Sequence, residues 1–387
     1  MERKKVAYMG CLGLIGVITT EFGVIGILPQ LAAHYQISIE VAGLLLSAFA
    51  IVIALAGPFM TLFMSGYNRK HMMALSLAVF LFTGIVSALS PPFWLLLLVR
   101  MLPAFLQPVY ISTAVAAATN GVDKKEEHQM MAIVLGGIGI ATVTTVPFAT
   151  YIADELHGWN YSFVVQAVVS LLALIGILTG LPSMPVPERK TYGKQLKILK
   201  KPGFLISSLV VLLMNAAMFT TYSYFADYLG RVNGMEPKMI SSMLLLFGVM
   251  GVLGNFVAGK ALSKSLTMTT AFFLAGLALV AAGIYYSASL SSVGTILLIG
   301  IWGFLHTPCF LTGQAYMIAT ATEASEFANS LSISFGNLGI AIGTAVSGVV
   351  IAGYGIHNAP WAMLGFSAFA LLMMWVKALP VFDKRRS

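Results

Sequence analysis

Twelve apolar blocks follow one another along this chain, separated only by short polar or Pro/Gly-containing breaks. A helix needs about 20 apolar residues to cross the hydrocarbon core of a bilayer. Blocks of that order lie near 6–33, 40–64, 72–90, 93–119, 130–153, 160–181, 204–229, 239–262, 268–289, 293–319, 329–353 and 359–379. They nearly exhaust the 387 residues and leave no room for a soluble domain. Charged residues make up only 9% of the chain, against roughly 25% in soluble globular proteins, and hydrophobic ones 58%. The fold class is therefore an all-α membrane protein with twelve transmembrane helices. The opening Met1-Glu-Arg-Lys-Lys and the apolar run after it read as an uncleaved first span, because that run is too long for a secretory signal and contains Glu21.

The net charge of +8 is a topology signal rather than a nucleic-acid footprint, because the cations gather in alternate loops. With a cytoplasmic N-terminus, nineteen of the twenty-two Lys and Arg fall in inside segments; Arg231 and Lys238 lie outside and Arg100 lies within a span. Both termini are thus expected in the cytoplasm of a bacterial inner membrane. Residues 182–203 form the longest polar stretch and separate an N-terminal bundle, 1–181, from a C-terminal bundle, 204–387. The basic, amphipathic part of this linker, Lys194 to Lys201, is expected to rest on anionic headgroups.

The two halves are related. A shift of 200 residues aligns Gly136, Gly139, Ile140, Ala141, Thr144, Val146 and His157 with Gly336, Gly339, Ile340, Ala341, Thr344, Val346 and His357, and Asp123 and Glu126 with Glu323 and Glu326. Six spans separate the copies, so they share one orientation, the parallel duplication expected of a carrier with its site between pseudo-symmetric halves.

Glu21 lies near the middle of the first span and is the only acid placed deep in the membrane. An ionised acid at a helix centre costs about 2.5 to 3.5 kcal/mol, so such a residue faces a bundle interior or a wet cavity and marks an ion or substrate path. Cys11 and Cys309 both fall within spans and suggest neither a disulfide nor a metal site. The six His are scattered and no Glu/His motif occurs, which argues against a membrane enzyme.

Several short stretches together resemble the major facilitator superfamily, and within it the drug:proton antiporter branch, with the bacterial sugar-efflux (arabinose-export-like) and purine-efflux transporters as nearest in kind. The resemblance covers essentially the whole chain. It rests on Glu21 with Gly26-Ile-Leu-Pro-Gln30, Gly57-Pro58 before Asn68-Arg-Lys70, Arg100, Tyr222-Ser-Tyr-Phe225 after Lys201-Pro202, and Gly339-Ile-Ala-Ile-Gly343 with Ser347-Gly-Val-Val350. Departures accompany it. Ser65 and Gly66 stand where the loop between spans two and three usually has Asp-Arg, Asn68 stands at its later Gly, and Ser263 stands in the equivalent second-half loop. Thr145-Val-Pro-Phe-Ala149 replaces the usual Gly-x-Pro-x-Gly of span five, with Pro147 retained. What the resemblance implies is a single-chain exporter working by alternating access.

An exporter needs a group that holds a proton in one conformation and releases it in another; desolvation and water entry move a carboxyl's affinity in opposite directions. Glu21 is the candidate, and a proton moving inward releases about 2.3 kcal/mol per 100 mV. The alternative is a permanently protonated, structural Glu21. Arg100 sits roughly 10 Å inside span four, by helical rise. It stays charged, so it either tunes the coupling group or snorkels to the interface. Gln107, Asn215, Gln314 and Asn337 are polar in otherwise apolar spans and are candidates to bind a polar ligand, or else to bridge helices. Tyr222, Tyr224 and Phe225 give span seven a ring-rich surface suited to flat or amphipathic molecules, unless they form an interfacial belt. Asp227 is expected at the outer surface. His306, with Trp302 one turn away, either assists the proton or packs.

The expected function is proton-coupled efflux of a small amphipathic or planar compound, such as a drug, a purine or nucleoside, or a sugar. Proton-coupled uptake and a non-transporting receptor are the alternatives. The expected partners are the small-molecule cargo, protons and lipids, with no nucleic acid, no metal and no cofactor beyond the proton gradient, in a monomer.

Overall fold

The structure, a computed structural model, describes residues 2–119, 124–186, 193, 195–322 and 325–378. Among them there is no strand, and twelve helical stretches are long and apolar enough to cross a membrane. The first span contains α1 (Glu2–Phe22), a 3-10 turn (Ile25–Ile27) and α2 (Leu28–Tyr35). The second contains α3 (Ile39–Ala42) and α4 (Leu44–Met64); the third is α5 (Arg69–Ala88) and the fourth α6 (Phe93–Thr119). Helices α7 (Lys124–Val143) and α8 (Thr145–Glu155) form the fifth and α9 (Asn160–Gly180) the sixth. The second half runs through α10 (Pro202–Tyr222), α11 (Phe225–Arg231), α12 (Pro237–Leu262), α13 (Leu266–Tyr285), α14 (Ser292–His306), α15 (Pro308–Ile318), α16 (Ser325–Tyr354) and α17 (Ala359–Ala378). The predicted block at 204–229 ends as a regular span at Tyr222, and α11 is a separate short helix beyond it.

The chain divides into two compact units, Met1–Ile37 with Leu55–Thr191, and Ser38–Ala54 with Tyr192–Ser387. The division falls inside continuous helix α4, between Ala54 and Leu55, with Pro58 just beyond it.

Within the first unit α1 is the hub, packed against α6, α7 and α9, while α5 packs on α6 and α9. Within the second unit α10 takes the same place, packed against α15, α16 and α17, while α13 packs on α14 and α17. The 200-residue offset carries α1 onto α10 residue for residue, both ending at the same position, Phe22 and Tyr222. It also carries Pro108 inside α6 onto Pro308 at the α14–α15 break. Asp123 and Glu323 of the sequence alignment lie outside the described residues.

Close packing of α10 on α16 depends on missing side chains. A Cβ at Gly339 would collide with the carbonyl oxygen of Leu212, and one at Gly343 with that of Ala216. Small residues permit such approaches where lipid offers no hydrophobic drive for helices to associate. Large apolar side chains such as Phe59, Phe256, Leu279 and Val349 are exposed, as a lipid-facing surface requires.

The departures in the loop after span two have a structural counterpart. Asn68 caps α5 by accepting from the Lys70 amide at 3.1 Å, and it donates to Ser183 Oγ at 2.7 Å. Its Oδ1 also accepts from the Met184 amide at 3.2 Å, and Arg69 Nη1 donates to the Ala116 carbonyl at 3.1 Å. Ser65 Oγ bonds back to the Leu62 carbonyl. In the linker, Gln195–Lys200 forms a 3-10 turn whose Ile198 is buried with Phe204, Val211, Met317 and Phe327, so its apolar side packs on protein. Lys194 lies outside the described residues.

Candidate functional site

Each unit places a cluster of functional side chains at the broken end of its hub helix. In the first unit, α1 stops at Phe22 and the chain passes through Gly23 and Val24 into the 3-10 turn. A helix that stops leaves carbonyls without intrahelical partners and a partial negative charge at that end. Arg100 of α6 answers both, donating from Nη2 to the Thr20 carbonyl at 2.9 Å. Arg100 is 2% exposed, so it does not snorkel to the interface, and its guanidinium lies 5.4 Å from the centre of the Phe163 ring.

Glu21, one residue on, is 5% exposed and accepts from Gln107 Nε2 at 2.6 Å. Glu21 and Arg100 also act on each other electrostatically. Gln107 Oε1 is buried with no hydrogen-bond partner. Below the break, Thr19 and Thr145 hydroxyls meet, joining α1 to the start of α8. On the other side Ser162 Oγ donates to the Gly23 carbonyl at 3.5 Å and Gln166 Nε2 to Ser162 Oγ at 3.4 Å. Gln107, expected among the ligand-binding residues, therefore joins the carboxyl. Gln166 is absent from the sequence-based candidates, although a lone Gln in an apolar span is the same signal that Gln107 and Gln314 carry.

In the second unit the hub helix α10 stops at Tyr222, and the residues facing its end are aromatic instead of charged. The Tyr222 ring stacks on Phe247 of α12, 4.7 Å between centres and 17° between planes. His306 lies 4.8 Å from Tyr222 and 5.1 Å from Phe247. Trp302 lies 5.2 Å from Phe247 and 5.4 Å from Phe225. Phe219 and Phe310 complete the group beside His306. Offset and edge-on geometries of this kind add about 0.5 to 1.5 kcal/mol per pair beyond burial. His306 Nδ1 and Trp302 Nε1 are both buried without hydrogen-bond partners. A buried polar atom left unpaired costs about 1 to 3 kcal/mol, a cost that a ligand supplying the missing partner removes. Phe247 has no distinguishing mark in the sequence, being one more apolar residue in an apolar span.

The remaining candidates go elsewhere. Tyr224 parts from Tyr222 and Phe225: its hydroxyl donates to the Thr344 carbonyl at 3.2 Å on α16. Asn215 projects from α10 beside Gly336 of α16, and its Oδ1 and that of Asn337 are buried without partners. Gln314 Nε2 donates to Asn329 Oδ1 at 2.5 Å. Asp227 is 3% exposed, not at the surface, because α11 folds in against α10, α12 and the turn at Ile356–Asn358. Among the described residues no group of three His, Cys, Asp or Glu could hold a metal ion, and Cys11 and Cys309 are separate buried thiols.

Two six-span repeats, each with a broken hub helix whose end gathers polar or aromatic side chains, define a membrane carrier of duplicated architecture. The family model of the Major Facilitator Superfamily matches residues 10–325, and the chain belongs to that family of transporters. It is thus a multi-pass membrane transporter and not an enzyme. It is 29% identical over 368 residues to the inner membrane transport protein YdhP of Escherichia coli O157:H7, covering 95% of this chain and 94% of that protein. It is 25% identical over 370 residues to a probable sugar efflux transporter of Helicobacter pylori strain J99, covering 95% of this chain and 93% of the relative. The same fold occurs in the crystal structure of an aspartate-to-alanine mutant of the nucleoside transporter NupG, with a TM-score of 0.73, 14% identity and full coverage of both chains.

Proposed function

We propose that this transporter exports a small planar or amphipathic compound in exchange for protons. The observation that carries this reading is Glu21, a buried carboxyl at a helix break, hydrogen-bonded to Gln107 with Arg100 on the adjoining carbonyl. Glu21 is the proton carrier. Arg100 is a positioning residue, holding the broken end of α1 so that the carboxyl stays within reach of Gln107. The aromatic group around His306 is the cargo surface, with Trp302 Nε1 and His306 Nδ1 as its hydrogen-bonding points.

The proton gradient is the driving force, and a single chain in a bacterial inner membrane, termini inside, is the working unit. Relatives that include a probable sugar efflux transporter and an inner membrane transport protein support export and that location. Access alternates between the two membrane faces, so the carboxyl and the cargo surface are reached from one side at a time.

The test is proton movement in proteoliposomes across a panel of drugs, purines, nucleosides and sugars, comparing wild type with Glu21→Gln. A compound that moves protons in wild type alone, yet still binds the variant, supports coupling through Glu21 and identifies the cargo class. Transport by Glu21→Gln against a gradient at the wild-type rate refutes it.

A further inference from the structure

One buried titratable group has no part in the cycle above. Asp227 of α11 accepts from Arg231 Nε on Oδ1 at 2.8 Å, while its Oδ2 is buried without a hydrogen-bond partner. Arg231 is 63% exposed, so water screens this cation's hold on the carboxyl.

The neighbourhood of Asp227 is built around a second group, the Tyr224 hydroxyl. Ser223 Oγ and Thr344 Oγ1 share a hydrogen bond of 2.7 Å, and Tyr224 donates to the Thr344 carbonyl, so the chain between α10 and α11 is fastened to α16. Two glycines enclose the hydroxyl. A Cβ at Gly43 would collide with it, and a Cβ at Gly348 would stand 3.0 Å from it and 3.1 Å from Cβ of Glu40. The packing thus brings Glu40 of α3 to the same hydroxyl, and Glu40 acts electrostatically on both Tyr224 and Asp227. All of these residues belong to the second unit. Of the other elements packed on α11, α12 brings Glu236 and Lys238 near its start, and the Ile356–Asn358 turn brings His357, whose ring lies 4.4 Å from Tyr285. Tyr228 of α11 is engaged with the Ile284 carbonyl at 2.7 Å.

We propose that Asp227 binds a proton arriving from the membrane face opposite the termini, and that this proton latches α3 and the first turns of α4 onto α11 and α16. With Asp227 ionised, its buried Oδ2 carries charge with no hydrogen-bond donor, Glu40 adds like charge, and Arg231, exposed to water, offsets it only in part. Like charges so placed disfavour the arrangement that holds them together. A proton taken from water onto Oδ2 removes the buried charge and with it the repulsion. Its loss to water on the same face reverses both effects and frees α3. The site is separate from Glu21 and goes beyond the coupling proposed above, because it concerns closure of one face whatever the cargo or direction.

The test is a distance measurement by paired spin labels at Ser38→Cys and Tyr354→Cys, in a Cys11→Ala, Cys309→Ala background in lipid nanodiscs. Both labelled positions are exposed, and they lie just before α3 and at the end of α16. The expected result is a short distance at low pH that gives way to a longer one as pH rises. Asp227→Asn is expected to stay short across the range, while Glu21→Gln retains the wild-type response. A wild-type distance indifferent to pH overturns the proposal, as does an Asp227→Asn response equal to wild type. So does a response lost in Glu21→Gln and kept in Asp227→Asn. Should Asp227→Asn fail to fold, Arg231→Gln, altered at an exposed side chain, gives a second reading. Removing a nearby cation favours the protonated acid, so its midpoint is expected about one pH unit higher, and an unmoved midpoint counts against the latch.

Discussion

Arg100 and the broken end of α1 show how much a single side chain is asked to do. It supplies a planar donor to the Thr20 carbonyl, a charge at a helix C-terminus and a cation beside a buried ring. Lysine keeps the charge but concentrates its donors at one point. Arg100→Lys is therefore expected to lower cargo-driven proton flux about tenfold, the effect of about 1.4 kcal/mol, and Arg100→Gln to abolish it, both read in proteoliposomes. Trp302→Phe keeps a ring but removes the N–H. It is expected to weaken cargo binding several-fold, roughly the net worth of one hydrogen bond, with proton flux at saturating cargo preserved; equilibrium binding and flux assays separate the two. At this scale the sequence was legible where chemistry and surroundings disagree. Glu21 stood out as the lone deep acid. The hydrogen-bond partner of Gln107 did not, because a polar residue in an apolar helix announces a need for a partner without naming it. Tyr222 and Tyr224, two residues apart, diverge because a turn between helices sends them to α12 and α16 respectively.

At the scale of elements, the apolar blocks predicted spans whose ends agree with the helices to within a few residues, because hydrocarbon thickness sets their length. The block at 204–229 is the exception. No Pro or Gly marks residues 222–224; the break there is held by bonds from Ser223 and Tyr224 to Thr344, 121 and 120 residues away, and so left no local trace. The contact of α10 with α16 gives a direct test. Gly339→Val places branched carbons where the Leu212 carbonyl already sits and is expected to destabilise by about 1 to 3 kcal/mol, as overpacking does. Gly353→Val, whose added Cβ meets nothing within 4 Å, is the control. Thermal unfolding in detergent should separate them, Gly339→Val melting lower and Gly353→Val unchanged.

At the scale of the molecule, the duplication was visible because 200 residues is a constant offset, and the structure extends it to helix ends and prolines that the aligned stretch did not include. The chemistry diverged while the scaffold did not: Glu21 corresponds to Thr221, and Gln107 to Thr307. Orientation rests on the distribution of Lys and Arg, which predicts cytoplasmic termini. Tyr67→Cys is then expected to react with an impermeant maleimide only in opened cells, and Ser289→Cys in intact ones; the reverse pattern would invert the topology.

Helix α4 runs unbroken through the point where the chain changes units, and four residues beyond Ala54 stands Pro58. The carbonyl of Ala54 looks toward a nitrogen with no hydrogen to give, so one rung of the helical ladder is absent there. In mechanical terms α4 is a rod softened by one missing rung, close to the point in the chain where the units change. Restoring the rung with Pro58→Ala is expected to stiffen the rod and slow turnover several-fold while cargo still binds. The carrier's pace would then be set partly by a hydrogen bond that the protein does without.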